Sequence, residues 1–179
     1  MVFVISGPSG SGKTTVVERI LAAEGNRLAL AISATTRDQR PGDVPGVSYH
    51  FLSLEDFEAR RQAGDFLECA EVYPNQWYGT LQSEVAPRLA RGESVILEID
   101  VQGAMSVLKH YPEAVTIFIE PPSLQVLEDR LRARCTESEE AIQRRLATAR
   151  FELSMAPHYR YRVVNHNLDE TVAQTLAIL

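Results

Sequence analysis

The sequence predicts an α/β fold with a parallel sheet and helices on both of its faces. Short runs of β-branched and apolar residues alternate with helical patterns along most of the 179 residues. This alternation is typical of chains that build a parallel sheet from repeated strand–helix units. The runs are almost continuously apolar, as expected for strands that are buried on both faces. The length predicts one domain rather than two.

The predicted core elements follow one another in regular order. The predicted strands are residues 2–6, 28–33, 95–99, 115–119 and 162–165. The predicted helices are residues 14–23, 82–91, 101–110, 124–134, 138–155 and 170–179. We therefore assign the core to residues 1–32, 82–129 and 146–179.

Residues 33–81 interrupt this order and predict an inserted β-rich subdomain. They are rich in Gly, Pro, Tyr and polar residues, with a predicted helix at 54–63 and predicted strands at 47–52 and 66–72. A second irregular segment, residues 135–140, lies between two arginine-bearing helices. Both interruptions follow carboxyl ends of predicted core strands, the edge at which open α/β sheets bind ligands.

Composition excludes several classes of protein. Asp and Glu number 24 and Lys and Arg number 18, so the net charge is −6. This acidic balance argues against a non-specific nucleic-acid binder, which needs a basic face. The two cysteines do not make a disulfide framework, no apolar run is long enough to span a membrane, and no targeting segment is recognisable. We expect a soluble, cytoplasmic domain that binds neither nucleic acid nor membrane.

One motif predicts a phosphate site. Residues 7–14 read Gly-Pro-Ser-Gly-Ser-Gly-Lys-Thr and match the pattern G-x-x-x-x-G-K-S/T. The glycines allow several backbone N–H groups to face one anion, and the following helix adds its positive end. Lysine is rare here, since Lys13 and Lys109 are the only two. The motif predicts a bound nucleoside triphosphate and leaves GTPase, ATPase and kinase open. We expect its ligands to be Gly7, Pro8, Ser9, Gly10, Ser11, Gly12, Lys13 and Thr14, with the Thr14 hydroxyl on Mg²⁺.

The predicted strand 95–99 ends in two carboxylates, Glu98 and Asp100. Such an end can hold Mg²⁺ or its waters, as a Walker B element does. It can equally be an ordinary strand end with Asp100 capping the next helix. Both interpretations stay open at this point.

Several further motifs, in the same order along the chain, resemble the guanylate kinase family. They are Ser-Ala-Thr-Thr-Arg-Asp-Gln-Arg-Pro-Gly-Asp at 33–43, Val-Ser-Tyr-His-Phe at 47–51, Phe-Leu-Glu at 66–68 and Trp-Tyr-Gly-Thr at 77–80. The resemblance continues through Leu-Glu-Ile-Asp-Val-Gln-Gly at 97–103, Pro-Pro-Ser at 121–123 and residues 130–140. It implies a parallel-sheet core, a GMP-binding insertion and a small helical lid over residues 130–145. It also implies the reaction ATP + GMP to ADP + GDP with Mg²⁺, with dGMP as a second acceptor.

The resemblance also implies a role for individual side chains. Those on the GMP phosphate are Arg37, Arg40, Tyr49 and Tyr78. Those facing the guanine are Ser33, Glu68 and Thr80, and Asp100 completes the GMP site and can hold one of the waters of the metal ion. Those on the ATP side are Arg130, Arg134 and Asn165, the last of them near the adenine. Those that stabilise the transferring phosphoryl group are Lys13, Arg37, Arg134 and Arg145.

The chemistry of these residues fits the roles. The Glu68 carboxylate can accept hydrogen bonds from guanine N1–H and the 2-amino group, both of which adenine lacks, so it can discriminate between the two bases. Arginine forks suit phosphate oxygens. The GMP phosphate is already ionised, so no general base is needed and none is apparent. We expect Arg132, Arg144 and Arg150 to be surface charges instead.

Two rival functions remain from the sequence. A kinase acting on a phosphorylated sugar would not need Ser33, Glu68 and Thr80. A guanylate-kinase-like binding module that has lost catalysis is expected to lack the phosphate loop or the lid arginines, and this chain keeps both. The sequence leaves a monomer or a homodimer open.

Overall fold

The computed structural model describes residues 1–25, 28–134 and 139–179, and of Arg134 only the backbone. Within these residues the chain forms nine strands and seven α-helices. The strands are β1 (Val2–Ser6), β2 (Leu28–Leu30), β3 (Ser33–Thr35), β4 (His50–Phe51), β5 (Phe66–Tyr73), β6 (Gln76–Leu81), β7 (Ser94–Glu98), β8 (Val115–Glu120) and β9 (Tyr161–Val164). The helices are α1 (Lys13–Glu24), α2 (Leu54–Ala63), α3 (Gln82–Ala90), α4 (Val101–His110), α5 (Leu124–Arg134), α6 (Glu139–Ser154) and α7 (Leu168–Leu176).

The core is a five-stranded parallel sheet with strand order β2-β7-β1-β8-β9. All five residues of β1 are buried, and its side chains alternate between two apolar clusters. Val2 and Val4 belong to the cluster that includes residues of α4, while Phe3 and Ile5 belong to the one that includes residues of α1 and α7. Helices therefore cover both faces, which explains the continuous apolar strands and confirms the predicted fold class.

A second, mixed sheet has the order β4-β3-β6-β5. Strands β5 and β6 form an antiparallel hairpin in which Tyr73 faces Gln76. Its turn contains Asn75, which has a φ of 61° and therefore adopts the left-handed conformation that asparagine tolerates. β6 also pairs with β3. The second sheet thus lies wholly within the segment that departs from the strand–helix order.

The strand predictions need three corrections. The predicted strand 28–33 is two strands in different sheets, because β2 ends at Leu30 and the chain crosses to the second sheet at Ser33. The predicted strand 47–52 is reduced to His50–Phe51, because its partner β3 is only three residues long and pairs with it at two of them. Strand β6 was not predicted from the sequence.

The helix predictions are correct to within a few residues at each end. The largest shifts are at α7, which begins at Leu168 rather than at residue 170 and ends at Leu176 rather than at residue 179. The Asn167 side chain accepts hydrogen bonds from the N–H groups of Asp169 and Glu170 and so caps the helix. Among the helices described, none is both long and apolar enough to span a membrane.

The topology brings three segments to one edge of the core sheet. Because β1 and β7 are parallel neighbours, the loop after β1 and the residues after β7 lie side by side. Helix α6 reaches the same edge: it packs on α5 through an apolar cluster formed by Leu127, Leu131, Ile142, Leu146 and Ala149. Of the predicted lid, residues 130–145, residues 135–138 lie outside the described residues.

Candidate functional site

A single cleft joins the carboxyl edge of the core sheet to the second sheet. The phosphate loop, α1, the ends of β3 and β7, the β5–β6 hairpin and α6 all contribute to its lining. It brings together these predicted site residues: Gly7, Pro8, Ser9, Gly10, Gly12, Lys13, Thr14, Ser33, Arg37, Arg40, Tyr49, Glu68, Tyr78, Asp100 and Arg145. Segments more than a hundred residues apart in sequence therefore share one site.

The Asn165 side chain supports the phosphate loop through a hydrogen bond to its backbone. Its Nδ2 donates a hydrogen bond of 2.8 Å to the Ser11 carbonyl, and its Oδ1 accepts one of 3.1 Å from Thr171. Gly12 has a φ of 91°, and a Cβ at this position would collide with the Asn165 amide. Asparagine 165 is buried and also borders a smaller pocket beside the loop. Both its amide atoms are engaged with the protein, and the predicted contact with adenine remains a prediction.

Arg130 on α5 is a second side chain that bonds to the backbone of the loop. Its Nη1 donates to the carbonyls of Gly10 and Ser11 at 3.2 and 3.4 Å. Together with Asn165, it borders the smaller pocket. Two side chains from distant elements therefore hold carbonyl groups of the loop, and the Ser11 N–H of the loop donates to the Pro8 carbonyl at 3.0 Å.

The start of α1 is linked to the end of β7. The Thr14 hydroxyl donates a hydrogen bond of 2.6 Å to Glu98 Oε1. Asp100, two residues further on, caps α4 by accepting from the Gly103 N–H at 2.7 Å, and burial raises its pKa. Asp100 therefore caps a helix and also lines the cleft. The two interpretations of this strand end are thus compatible.

A buried carboxylate lies at the end of the cleft formed by the second sheet. Glu68 on β5 is only 6% exposed, and the Thr80 hydroxyl on β6 donates a hydrogen bond of 2.7 Å to its Oε1. Thr80 is also the residue opposite Ser33 on β3. Burial raises the pKa of Glu68 to about 7. The three residues predicted to face guanine therefore converge at one point, although the chain spaces them up to 47 positions apart.

Arg37 is held in place by Asp43, which the sequence analysis did not single out. Their side chains form an ion pair of 2.9 Å, and Asp43 also accepts from the Arg40 backbone N–H at 2.8 Å. The Arg37 guanidinium lies over the Tyr49 ring, 5.2 Å from its centroid. The position of Asp43, three residues after Arg40 in an Arg-Pro-Gly-Asp turn, was the available signal.

Two tyrosines stand beside this arginine. The Tyr49 and Tyr78 rings meet edge to face, with centroids 6.0 Å apart. Burial raises the pKa of the Tyr49 hydroxyl to about 12, so it stays protonated and can donate a hydrogen bond to an anion. Arg40 is exposed and lines the same part of the cleft.

Helix α6 brings one predicted and one unpredicted residue to the cleft. Arg145 lines the cleft, and so does Glu152. Their spacing of seven residues places them on one helix face. Glu152 is buried, which raises its pKa to about 7, while the charge of Lys13 acts against that shift. This spacing is the signal that could have identified Glu152.

Arg132 on α5 is a surface charge, as predicted. Arg132 forms ion pairs with Glu128 and Glu139 at 2.7 and 2.6 Å. The side chain of Arg134 lies outside the described residues, so its predicted role stays a prediction. Among the described residues, no cluster of three or more His, Cys, Asp or Glu side chains is arranged to hold a metal ion.

Comparison with known proteins agrees with this geometry. A family model described as guanylate kinase matches residues 1–179. The guanylate kinase of Rhodopirellula baltica is 50% identical over 179 residues, which cover 98% of this chain and 85% of that protein. The guanylate kinase of Hahella chejuensis is 49% identical over 176 residues, covering 98% of this chain and 84% of that protein.

A solved structure agrees as well. The crystal structure of guanylate kinase from Anaplasma phagocytophilum matches with a TM-score of 0.81 and 31% identity, over 99% of this chain and 83% of that chain. These likenesses extend over the phosphate loop, the second sheet and the helices that line the cleft, and the resemblance inferred from the sequence is confirmed. The chain belongs to the guanylate kinase family.

Proposed function

We propose that this chain transfers the γ-phosphoryl group of ATP to GMP, giving ADP and GDP. The observation that carries the proposal is one cleft with a phosphate loop at one end and the buried Glu68 at the other. The first suits a nucleoside triphosphate and the second suits a base with two adjacent N–H donors. A binding module without catalysis is not favoured, because the chain matches named guanylate kinases along nearly its whole length.

The donor nucleotide binds at the phosphate loop. Backbone N–H groups of the loop hold the phosphates, and Lys13 at the start of α1 contacts the outer ones. The smaller pocket beside the loop takes the adenine, between Arg130 and the segment after β9. We assign to the donor site Gly7, Pro8, Ser9, Gly10, Ser11, Gly12, Lys13, Thr14, Arg130, Arg134 and Asn165.

The acceptor binds against the second sheet. Glu68 accepts from guanine N1–H and the 2-amino group, and the Thr80 hydroxyl keeps its carboxylate in place. The GMP phosphate lies beside Arg37, whose guanidinium Asp43 already orients. We assign to the acceptor site Ser33, Arg37, Arg40, Tyr49, Glu68, Tyr78, Thr80 and Asp100. Because the ribose 2′-hydroxyl is not part of this recognition, dGMP is a second acceptor.

The residues present fit Mg²⁺ as the cofactor. Mg²⁺ in kinase sites binds substrate phosphates, waters and one or two protein oxygens rather than a cage of carboxylates. The Thr14 hydroxyl faces the cleft and donates to Glu98, so its lone pairs are available to a cation. When bound, the ion neutralises charge that develops on the phosphates. Asp100 lines the same cleft as Thr14 and would hold one of the waters of the ion.

Catalysis in this site consists of positioning and charge stabilisation. The attacking group is a GMP phosphate oxygen, which is ionised at neutral pH and needs no base. Lys13, Arg37, Arg134 and Arg145 compensate the charges of the two phosphate groups that must meet. Closure of the lid, residues 130–145, over the core and the insertion at 33–81 excludes water, which would compete with GMP as the acceptor.

The cellular setting follows from the substrates. We propose a cytoplasmic monomer or homodimer that draws on the ATP and GMP pools and binds neither nucleic acid nor membrane. The free thiol of Cys69 suits a reducing compartment.

A coupled assay of ADP release tests the proposal. ATP and Mg²⁺ are supplied with GMP, dGMP, AMP, CMP or UMP in turn. Strong turnover with GMP, weaker turnover with dGMP and little with the others is expected. ADP release that is independent of the monophosphate would instead indicate an ATPase, and preference for another monophosphate would overturn the assignment of Glu68.

A further inference from the structure

The first turn of α4 lies directly against the Glu68 carboxylate. A Cβ atom placed on Gly103 would lie 2.5 Å from Glu68 Oε2 and 3.1 Å from Glu68 Cδ. The first distance is far below any that real carbon and oxygen atoms adopt without a bond. Even a methyl group at position 103 therefore excludes the carboxylate from its present place.

The backbone does not require glycine at this position. Gly103 has no positive φ, unlike the glycines of the phosphate loop. It lies inside a helix, where glycine is less favourable than alanine because the unfolded chain loses more conformational freedom. The need for glycine therefore comes from the space that Glu68 occupies.

Two contacts define the position of the Glu68 carboxylate. Thr80 holds Oε1 at 2.7 Å, and Oε2 rests against Gly103. A Cβ atom on Gly103 would also lie 3.4 Å from Asp100 Oδ1, the atom that caps the helix. The missing side chain thus allows two carboxylates, from β5 and from the α4 cap, to lie at one end of the cleft.

We propose that Gly103 is a specificity-determining position: its missing side chain lets Glu68 lie flat against α4 so that the carboxylate can read both N–H donors of guanine. Gly103 itself is a positioning residue that acts through Glu68. The inference rests on the proposed role of Glu68 in binding GMP. It adds helix α4, to which none of Ser33, Glu68 and Thr80 belongs, to the elements that determine how guanine is bound.

The test compares Gly103→Ala with Gln102→Ala. Gln102 is an exposed residue of the same helical turn, so it controls for the change in helix propensity. Gly103→Ala is expected to raise the KM for GMP at least tenfold, to leave the KM for ATP within twofold and to lower kcat less than threefold. Its preference for GMP over IMP, which lacks the 2-amino group, should fall. Gln102→Ala should resemble the parent protein in all four measurements.

A compensating change separates repositioning of Glu68 from general damage. Glu68→Asp is one methylene shorter and draws the carboxylate back from α4. In the parent chain this change should lower kcat/KM for GMP, whereas in the Gly103→Ala chain it should raise it. The same fractional loss in both chains, or an unchanged KM for GMP in Gly103→Ala, would overturn the proposal.

A stability measurement keeps the proposal testable if Gly103→Ala folds poorly. Gly103→Ala should lower the Tm of the parent chain but raise that of Glu68→Ala, where the colliding carboxylate is gone. A lowered Tm in both chains contradicts the inference. Because this readout uses no substrate, it remains valid even if the parent protein does not phosphorylate GMP, the result that would refute the proposed function instead.

Discussion

The Thr14 hydroxyl lies 2.6 Å from Glu98 Oε1 and donates a hydrogen bond to it, across 84 positions of sequence. Adjacent parallel strands produce this contact, because β1 leads into α1 and β7 ends at Glu98. A hydroxyl that donates its proton to a carboxylate turns its lone pairs elsewhere. Glu98 therefore orients the atom that we expect to coordinate Mg²⁺.

Glu98→Gln tests this orientation. The amide can still accept from Thr14 but carries no charge, so we expect the Mg²⁺ concentration for half-maximal activity to rise about tenfold, the cost of one weakened charge-assisted hydrogen bond. The measurement is a Mg²⁺ titration at saturating ATP and GMP. Glu93→Gln, before the start of the same strand, is the control. An unchanged midpoint in Glu98→Gln would show that the orientation of Thr14 does not matter.

Lys13→Ala tests the charge on the outer phosphates. We expect turnover to fall by about 10²–10³-fold, as when one preorganised donor to a developing anion is removed. The Tm should change little, because Lys13 is not part of the apolar core. Lys109, the second lysine of the chain, is exposed at the end of α4, and Lys109→Ala is the matched control. Turnover near that of the parent protein in Lys13→Ala would refute the role.

The pKa of Glu68 predicts a pH dependence of GMP use. Burial raises this pKa to about 7, so the free enzyme is half protonated near neutrality. Because guanine requires the ionised carboxylate, kcat/KM for GMP should rise between pH 6 and 8 and then level off. Part of this rise comes from the GMP phosphate itself. The remainder comes from Glu68 and should be absent in Glu68→Gln. Identical profiles in both proteins would exclude Glu68 as the titrating group.

The same shift predicts a cost in stability. The pKa in the folded protein lies above the ordinary value of 4.5, so folding disfavours the ionised form and stability falls as the pH rises from about 4.5 to about 7. At pH 8, the free energy of unfolding of Glu68→Gln should therefore exceed that of the parent protein by about 1–3 kcal/mol. The difference should vanish near pH 4. Denaturant unfolding at the two pH values checks this, and a variant less stable than the parent at pH 8 would contradict it.

Asn165→Ala tests the support of the phosphate loop. The change removes the 2.8 Å donor of the Ser11 carbonyl and leaves it only the longer bond of 3.4 Å from Arg130, a loss that costs about 0.5–1.5 kcal/mol. We expect a lower Tm and a KM for ATP that rises about tenfold, with the KM for GMP nearly unchanged. Thr171→Val keeps the Asn165 bond to the loop but removes the hydrogen bonds of the Thr171 hydroxyl to Asn165 Oδ1 and to the Asn167 carbonyl, and it should have the smaller effect on the KM for ATP. Equal effects on ATP and GMP would show that Asn165 does not act through the loop.

Periodicity predicted the elements that depend on local pattern. Buried on both faces, β1, β7 and β8 have nearly continuous apolar sequences and were predicted to within one residue at either end. Residues 28–33 failed because both halves are apolar, and only the partners of Leu30 and Ser33 assign them to different sheets. β6 was missed although the turn before it, Pro-Asn at 74–75, is a recognisable hairpin signal.

The sequence by itself determined the fold class, the family and the phosphate loop, because each depends on residue types at fixed short spacings. Tertiary structure decided the rest. Asn165 reaches the loop across 154 positions, Glu98 reaches Thr14 across 84, and Gly103 leaves space for Glu68. The loop pattern predicts that a phosphate is bound, whereas these contacts position the groups around it. Such contacts exist only once parallel strands and packed helices bring distant segments together, and no local spacing encodes them.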